Sequence, residues 1–366
     1  MERLLTASSP DRVYLDHAAT TPILPAARAA MIEAMARWAN PSSPHAEGRA
    51  ARAALEEARR AVAAAYGWAG ETLFTSGASE SLAIAAQRAL PARRIITAVE
   101  HDAVMRWAGP ETVVLPVGAD GIVSVEALAE ALAGVPALVT VQWANSETGV
   151  RQPIAVIAAA VHAAGSLLLV DAAQMPAGAD QDVAAQADFV ALSAHKRGGP
   201  PGVGALLVRD LGTLTPTGGQ ERGYRAGTEN VPAILGYAAA LAEPEALAEH
   251  QRLRALLDDA VLRSGGEVIG AGSPRHAAIG AYRMPGVASF VQLIDFDAAG
   301  FAVSAGSACA SGSMKPSHVL GAIGLPDAAK REVVRASFGR ATTEEEVRAL
   351  IAAWRSIARA KQRFVA

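Results

Sequence analysis

The chain has 366 residues, 51% hydrophobic and 19% charged, with a formal net charge of −3. That is apolar content for more than one average core, and the charge gives no electrostatic reason to expect nucleic acid or a membrane as partner. No apolar run reaches membrane-spanning length, the start Met1-Glu2-Arg3-Leu4-Leu5-Thr6 has no apolar signal core, and the single cysteine, Cys309, cannot form an intrachain disulfide; a soluble cytoplasmic protein is expected.

Tyr14 to Pro22 reads as an entry segment, followed by a helix from Pro25 to Trp38 that stops before Asn40-Pro41. A polar loop from Asn40 to His45 leads into an Ala/Arg/Glu helix from Gly48 to Tyr66. Leu73-Phe74-Thr75 is a strand running into Ser76-Gly77-Ala78-Ser79-Glu80-Ser81, with a helix continuing to Leu90. A glycine and small hydroxyls at a strand-to-helix turn make an anion site, because free N–H groups and the helix dipole point at the turn. Helix capping by Ser79 is the plainer reading of the same residues. No Gly-Lys-Ser/Thr follows, so this is not a Walker loop.

Arg94 to Val99 is the next strand, ending in Glu100-His101-Asp102. His101 reads either as a hydrogen-bonded turn histidine or as an imidazole laid against a ligand ring. The strand from Ala137 to Trp143 delivers Asn145, Ser146 and Glu147, and that from Ser166 to Val170 delivers Asp171 and then Gln174. Asp188 to Leu192 delivers Ser193-Ala194-His195-Lys196 ahead of Arg197-Gly198-Gly199-Pro200. These strands alternate with helical stretches such as Ile154 to Ala164, which predicts a parallel α/β sheet with its site at the strand carboxyl ends. An acid at Asp171, past a fully apolar strand, calls for a cationic partner such as a protonated ring nitrogen. Lys196 passes from a buried strand to a glycine-rich turn; partly desolvated there, its amine is suited to condense with an aldehyde, whereas a solvated turn lysine has no such role. Gly202 to Val208 is a further strand. Gly218 to Thr228 has no periodicity, as suits a segment shaped by something other than its own core.

From Glu243 the texture changes. An amphipathic helix, Pro244 to Ser264, leads to short strands at Glu267 to Ile269 and Val287 to Leu293, then to Ala305 to Pro316 around Cys309. Arg335 to Arg340 closes a strand, and the capping box in Thr342-Thr343-Glu344-Glu345 opens a helix to about Gln362. The expected organisation is a large domain over 16–243 and a smaller α+β domain from 1–15 and 244–366. Alanine, glycine and serine on both sides of Cys309 favour an exposed loop over a buried position.

A phosphate at Ser79, a ring over His101, an acid at Asp171 and an amine at Lys196 suit one ligand, pyridoxal phosphate; no metal is called for. The chain resembles the class V group of fold-type I pyridoxal-phosphate enzymes, and within it the cysteine desulfurases of the NifS/IscS type. The matching motifs are Tyr14 to Pro22, Asn40 to Ser43, Thr75 to Ser81, Glu100-His101, Asn145 to Gly149, Asp171 to Gln174, Ser193 to Lys196, Arg225 to Thr228, Gly306 to Ser311 and Arg335 to Arg340. They fall in the family's order across nearly the whole chain.

The resemblance implies the transferase fold of that type, α/β, with a mainly parallel seven-stranded sheet in the large domain, and a homodimer. It makes Lys196 the attachment point of the cofactor and the proton carrier, and Asp171 the partner of the ring nitrogen. His101 stacks on the ring and acts in acid-base steps; Asn145 and Gln174 reach the ring hydroxyl. Ala78, Ser79, Ser193 and His195 hold the phosphate, with Thr228 arriving from the neighbouring subunit. Arg335, together with Asn145, binds the substrate, Arg335 clamping its carboxylate in a bidentate pair; Arg340 is a weaker candidate for that clamp. Cys309 is the nucleophile that takes the sulfur of L-cysteine as a persulfide, leaving alanine, and passes it to an acceptor such as an iron-sulfur scaffold or a thio-cofactor or tRNA pathway. Selenocysteine lyase or an aminotransferase on the same scaffold are the enzyme alternatives, and a non-catalytic sulfur-relay subunit the non-enzymatic one. Retention of Lys196, Asp171, His101 and Cys309 together argues against the last. Two stretches, between Ser289 and Ser304 and between Arg209 and Gly218, are shorter than the family pattern, which bears on the docking surface and leaves the catalytic motifs intact.

Overall fold

The computed structural model describes residues 12–37, 39–305 and 317–365, with side chains to 360. In chain order its elements begin with β1 (Val13–Tyr14), α1 (Pro25–Ala36), α2 (Ala46–Ala65), β2 (Glu71–Thr75), α3 (Ala78–Arg88), β3 (Arg93–Thr97), α4 (Asp102–Met105), β4 (Val113–Leu115) and α5 (Val125–Leu132). Then come β5 (Ala137–Gln142), α6 (Ile154–Ala163), β6 (Leu167–Asp171), α7 (Gln181–Gln186), β7 (Phe189–Ser193), β8 (Gly204–Val208) and α8 (Val231–Leu241). The last part holds α9 (Leu247–Arg263), β9 (Glu267–Ile269), β10 (Ile279–Arg283), α10 (Ser289–Ala298), β11 (Phe301–Ala302), α11 (His318–Ala322), α12 (Asp327–Lys330), β12 (Val333–Ser337) and α13 (Glu344–Val365).

A seven-stranded sheet runs in the order β2-β8-β7-β6-β5-β3-β4. It is parallel except for β8, which is antiparallel to both β7 and β2. Every residue of β5 and β7 is buried, because helices cover both faces and the strands have no solvent side to keep polar. Alternation sorts the contacts: Val139 and Leu168 pack with Leu55, Val62, Ile157 and Tyr237 on one face, and Leu138 and Leu169 with Leu82 and Ile84 on the other. The parallel strands end together, which gathers the polar residues that follow them along one rim.

The C-terminal residues build a second core. β10 pairs antiparallel with β9 and β12, and α9, α10 and α13 cover this sheet through Leu253, Leu257, Phe296 and Trp354. The N-terminal strand β1 joins it, pairing parallel with β11 (Val13↔Phe301) and placing Leu15 in the same core. Thr343 and Glu346 cap α13 reciprocally: Glu346 N–H donates to Thr343 Oγ1 at 3.2 Å and Thr343 N–H to Glu346 Oε2 at 2.8 Å.

One expected strand is a helix. Val287 to Leu293 contributes the start of α10, and the strand lies earlier, at Ile279–Arg283. The buried positions Ser289, Gln292 and Phe296 recur at helical spacing, and Gln292 Nε2 donates to Val287 O at 2.7 Å and Glu332 O at 2.8 Å. Those bonds let an amide stand in a core position that a strand reading would treat as its polar face.

Candidate active site

β2 ends at Thr75 and the chain turns through Ser76 into α3. The N-cap of α3 is Gly77 rather than Ser79, with φ 151° and ψ 176°, and no side chain caps the helix. Ser79 instead stands in its first turn. The geometry needs glycine, since that backbone conformation is closed to other residues. Gly204 of β8 packs directly beneath: a Cβ there would lie 2.7 Å from Gly77 Cα and 2.3 Å from Leu192 O. The first N–H groups of α3 have no intrahelical partner and line the rim cavity through Ala78 and Ser79.

Opposite the cradle, β7 ends at Ser193 and releases His195 and Lys196. The entry segment holds this turn: Thr21 N–H donates to His195 O at 2.8 Å and Thr21 Oγ1 to Lys196 O at 3.2 Å. His195 Nδ1 meets Thr20 Oγ1 at 3.1 Å. Burial, then the charges of Lys196 and Arg197, push the His195 pKa down to about 4. It is therefore neutral near pH 7 and meets an anion through an N–H, not through charge.

β6 carries Asp171 to the same rim, where its Oδ1 accepts from Ala173 N–H at 3.0 Å. His101 is the N-cap of α4, with Nδ1 accepting from Ala103 N–H at 3.1 Å. An acceptor role at Nδ1 puts the neutral ring's proton on Nε2. Burial lowers the His101 pKa, against the opposing pull of Asp171. Gln174 Nε2 donates to Ala18 O at 2.9 Å, while its buried Oε1 has no protein partner.

Arg335 of β12 enters from the second core, 5% exposed. Its Nη2 donates to Asp16 Oδ1 at 2.6 Å and its Nη1 to Ser146 O at 2.8 Å, and its buried Nε is unpartnered. Arg340 is turned to a structural task, donating to Arg197 O at 3.1 Å and Glu243 O at 3.0 Å.

Ala78, Ser79, His101, Asp171, Gln174, Ser193, His195, Lys196 and Arg335 thus line one cavity of about 490 Å³. Two expected residues do not. Asn145 is buried with its amide engaged locally: Oδ1 accepts from Glu147 N–H and Thr148 N–H at 2.9 and 2.8 Å, and Nδ2 donates to Val99 O at 3.1 Å. In this arrangement it shapes the loop that offers Ser146 O to Arg335. Thr228 is exposed and away from its own chain's cavity. Cys309 lies outside the described residues.

Sequence reasoning quotes Asp16 and Glu100 within motifs but gives neither a role. Asp16 lies within the quoted entry motif, and its one signal is an acid beside the aromatic pair Tyr14 and His17. Glu100 is completely buried; Thr97 Oγ1 donates to its Oε1 at 2.6 Å and Gln142 N–H at 3.0 Å, and its Oε2 has no partner. Burial, helped by the charge of Asp171, raises its pKa to about 8, so the site holds a neutral acid behind Asp171.

An uncapped helix start suits a phosphate, the unmatched Gln174 oxygen suits a ring hydroxyl donor, and a strand-end acid shares the cavity with a lysine. Those are the requirements of pyridoxal phosphate, and the sheet is that of its fold type I enzymes. The family model Aminotransferase class-V matches residues 13–350. The chain is 39% identical to a cysteine desulfurase of Cereibacter sphaeroides, covering 93% of this chain and 94% of that one. It is 40% identical to an IscS-like cysteine desulfurase of Mycobacterium tuberculosis, covering 92% and 94%. The solved structure of a NifS-like protein from Rickettsia africae superposes with a TM-score of 0.84 at 28% identity, covering 94% of this chain and 99% of that one. The chain belongs to the class-V aminotransferase family, pyridoxal-phosphate-dependent, and within it to the cysteine desulfurases.

Proposed function

We propose that this enzyme converts L-cysteine to L-alanine and carries the sulfur as a persulfide on Cys309. The observation that carries the reading is the convergence on one cavity of a phosphate cradle, the acid-lysine set and a separate arginine positioned for a carboxylate. When bound, the cofactor supplies delocalisation of the electron pair released at the substrate α-carbon. Around it, the α3 N-terminus, Ser193 and neutral His195 would hold the phosphate, and Asp171 would favour the protonated ring nitrogen. Lys196 Nζ holds the cofactor before substrate arrives and afterwards moves the α-proton. His101, whose Nδ1 is held by Ala103 N–H, would face the ring and hold a proton at Nε2 for transfer. Arg335 orients the substrate carboxylate.

In the sulfur step the Cys309 thiolate attacks the substrate sulfur: an S–S bond forms, the Cβ–S bond breaks, and the carbon takes the electron pair and a proton to become alanine. No external oxidant is needed, because the carbon is reduced as the sulfur is oxidised. The described residues flanking the Cys309 segment support this role. Ser304 exchanges backbone bonds with Arg335 at 3.1 and 2.6 Å, and Ser317 Oγ donates at 2.6 Å to Glu147, the residue after Ser146. Both flanks attach beside the carboxylate site.

The working unit in this reading is a homodimer in the cytoplasm that delivers sulfur to an acceptor protein. Thr228 is exposed on its own chain and suits a second copy's phosphate cradle; Ile32 and Met35 of α1, both 63% exposed, suit a subunit interface. Among the described residues no helix is long and apolar enough to cross a membrane. The test is alanine release from L-cysteine with excess reductant, wild type against Cys309→Ala. Alanine from the wild type alone is expected. Equal release from both would make the thiol dispensable and point to a lyase.

A further inference from the structure

Among the described residues β2 is an edge strand, paired with β8 alone, yet its outer edge is not left open. Phe74 N–H donates to Glu221 Oε2 at 2.8 Å, and Thr72 O accepts from Arg59 Nη1. The two side chains that cap the edge also pair with each other, Arg59 Nη1 to Glu221 Oε2 at 2.6 Å and Nη2 to Oε1 at 3.1 Å. Both are buried, the Glu221 side chain fully, and the Arg59 guanidinium lies over the Phe74 ring at 4.9 Å.

The backbone at this point is strained. Glu221 (φ 45°) and Arg222 (φ 58°) are the only non-glycine residues at positive φ among the described residues, and they are adjacent. Such a pair persists only where the surroundings over-determine it. Here the buried ion pair fixes Glu221, and the Arg222–Glu71 ion pair fixes its neighbour to the start of the same strand. Beyond them the chain doubles back: Gln220 bridges Arg225, and Gln220 Oε1 accepts from Gly227 N–H at 2.9 Å. Arg225 Nε reaches Glu80 Oε1 at 3.2 Å, and Glu80 in turn accepts from Ser76 N–H. The segment is therefore tied to the phosphate cradle on both sides, at Phe74 before it and at Glu80 just after it, and its next residues carry Thr228.

We propose that Glu221 is a positioning residue for phosphate recognition: locked to Arg59 and the Phe74 N–H, it fastens the Gly218 to Thr228 segment to the strand end that becomes the cradle. One latch thereby sets the shape of its own chain's Ser76 to Ser79 turn and the place at which Thr228 is offered to a second copy. This rests on the proposed cofactor site and on subunit exchange of Thr228.

The test uses the full-length protein freed of cofactor and titrated by absorbance with pyridoxal phosphate and with pyridoxal, which lacks the phosphate. Glu221→Gln keeps the shape of the side chain and removes its charge. It is expected to weaken pyridoxal phosphate binding about fivefold or more while leaving pyridoxal within about twofold. Thr228→Ala should shift the same ratio, and the double variant should lose less than the product of the two. Arg59→Lys, which leaves Glu221 on the Phe74 N–H, gives a smaller shift of the same kind and serves if Glu221→Gln does not fold. Equal weakening of both ligands, or strict multiplicativity with Thr228→Ala, would overturn the latch. An unchanged ratio in Thr228→Ala alone would instead strike down the subunit-exchange reading.

Discussion

Arg335→Lys tests the proposed carboxylate clamp. The guanidinium is almost fully buried, with one donor on Asp16, one on Ser146 O and its Nε without a protein partner. It therefore keeps N–H groups for a ligand while its plane is fixed from behind. Lysine retains the charge and not the fork, so a bound carboxylate loses one of two charge-assisted hydrogen bonds, about 1.5–3 kcal/mol. That corresponds to about 10- to 150-fold in dissociation constant. The assay is spectral titration of the holoenzyme with L-alanine, the product, and with ethylamine, the same amine without the carboxylate. The variant should weaken alanine by that factor and leave ethylamine nearly unchanged. Equal weakening of both would show that Arg335 supports the cavity without touching the carboxylate, and the assignment would fall.

Glu100 gives a pH test. Its folded pKa of about 8 lies above the ordinary 4.5, so between these values the folded state keeps a proton that the unfolded state has lost. Its contribution is full below about pH 4.5 and disappears as the pH rises through about 8. Wild type should thus lose stability between about pH 4.5 and about pH 8 relative to Glu100→Gln, by at most about 1.4 kcal/mol per pH unit; parallel melting curves across that range would refute the buried neutral acid. Gly204→Ala should destabilise by about 1–3 kcal/mol, because β8 is held between β2 and β7 and the new methyl meets Leu192 O and Gly77. It should also loosen the phosphate cradle, and a variant with wild-type melting temperature and cofactor retention would show that the close approach is not needed.

The central sheet was legible because strands such as Leu167–Asp171 and Phe189–Ser193 are unbroken apolar runs that each end in a polar residue. That pattern has few other meanings. Short apolar runs outside it are ambiguous, and α10 was misread for that reason: Phe290 and Ile294 are 51% and 63% exposed, so hydrophobicity pointed at the wrong face. At the site, residue types announced the chemistry, whereas orientation stayed hidden. Asn145 occupies the expected loop, but its bonds turn it inward, and Gly77 takes the cap that serine propensity assigns to Ser79. The Asp16–Arg335 pair spans 319 positions, a contact that no local pattern encodes.

That separation has a consequence for biogenesis. The cradle, the acid and the lysine all lie before residue 200, within the sheet that forms as the first two-thirds of the chain emerges. The proposed clamp waits for β12, which must pair with β10 and, through the Ser337 bridge, meet Asp16 near the start of the sequence. A chain that stops before β12 accordingly holds Ser79, Asp171 and Lys196 and lacks Arg335, the residue proposed to recognise the substrate carboxylate. In a growing chain the two halves of the proposed site would form in sequence, and the docking of β12 would complete it.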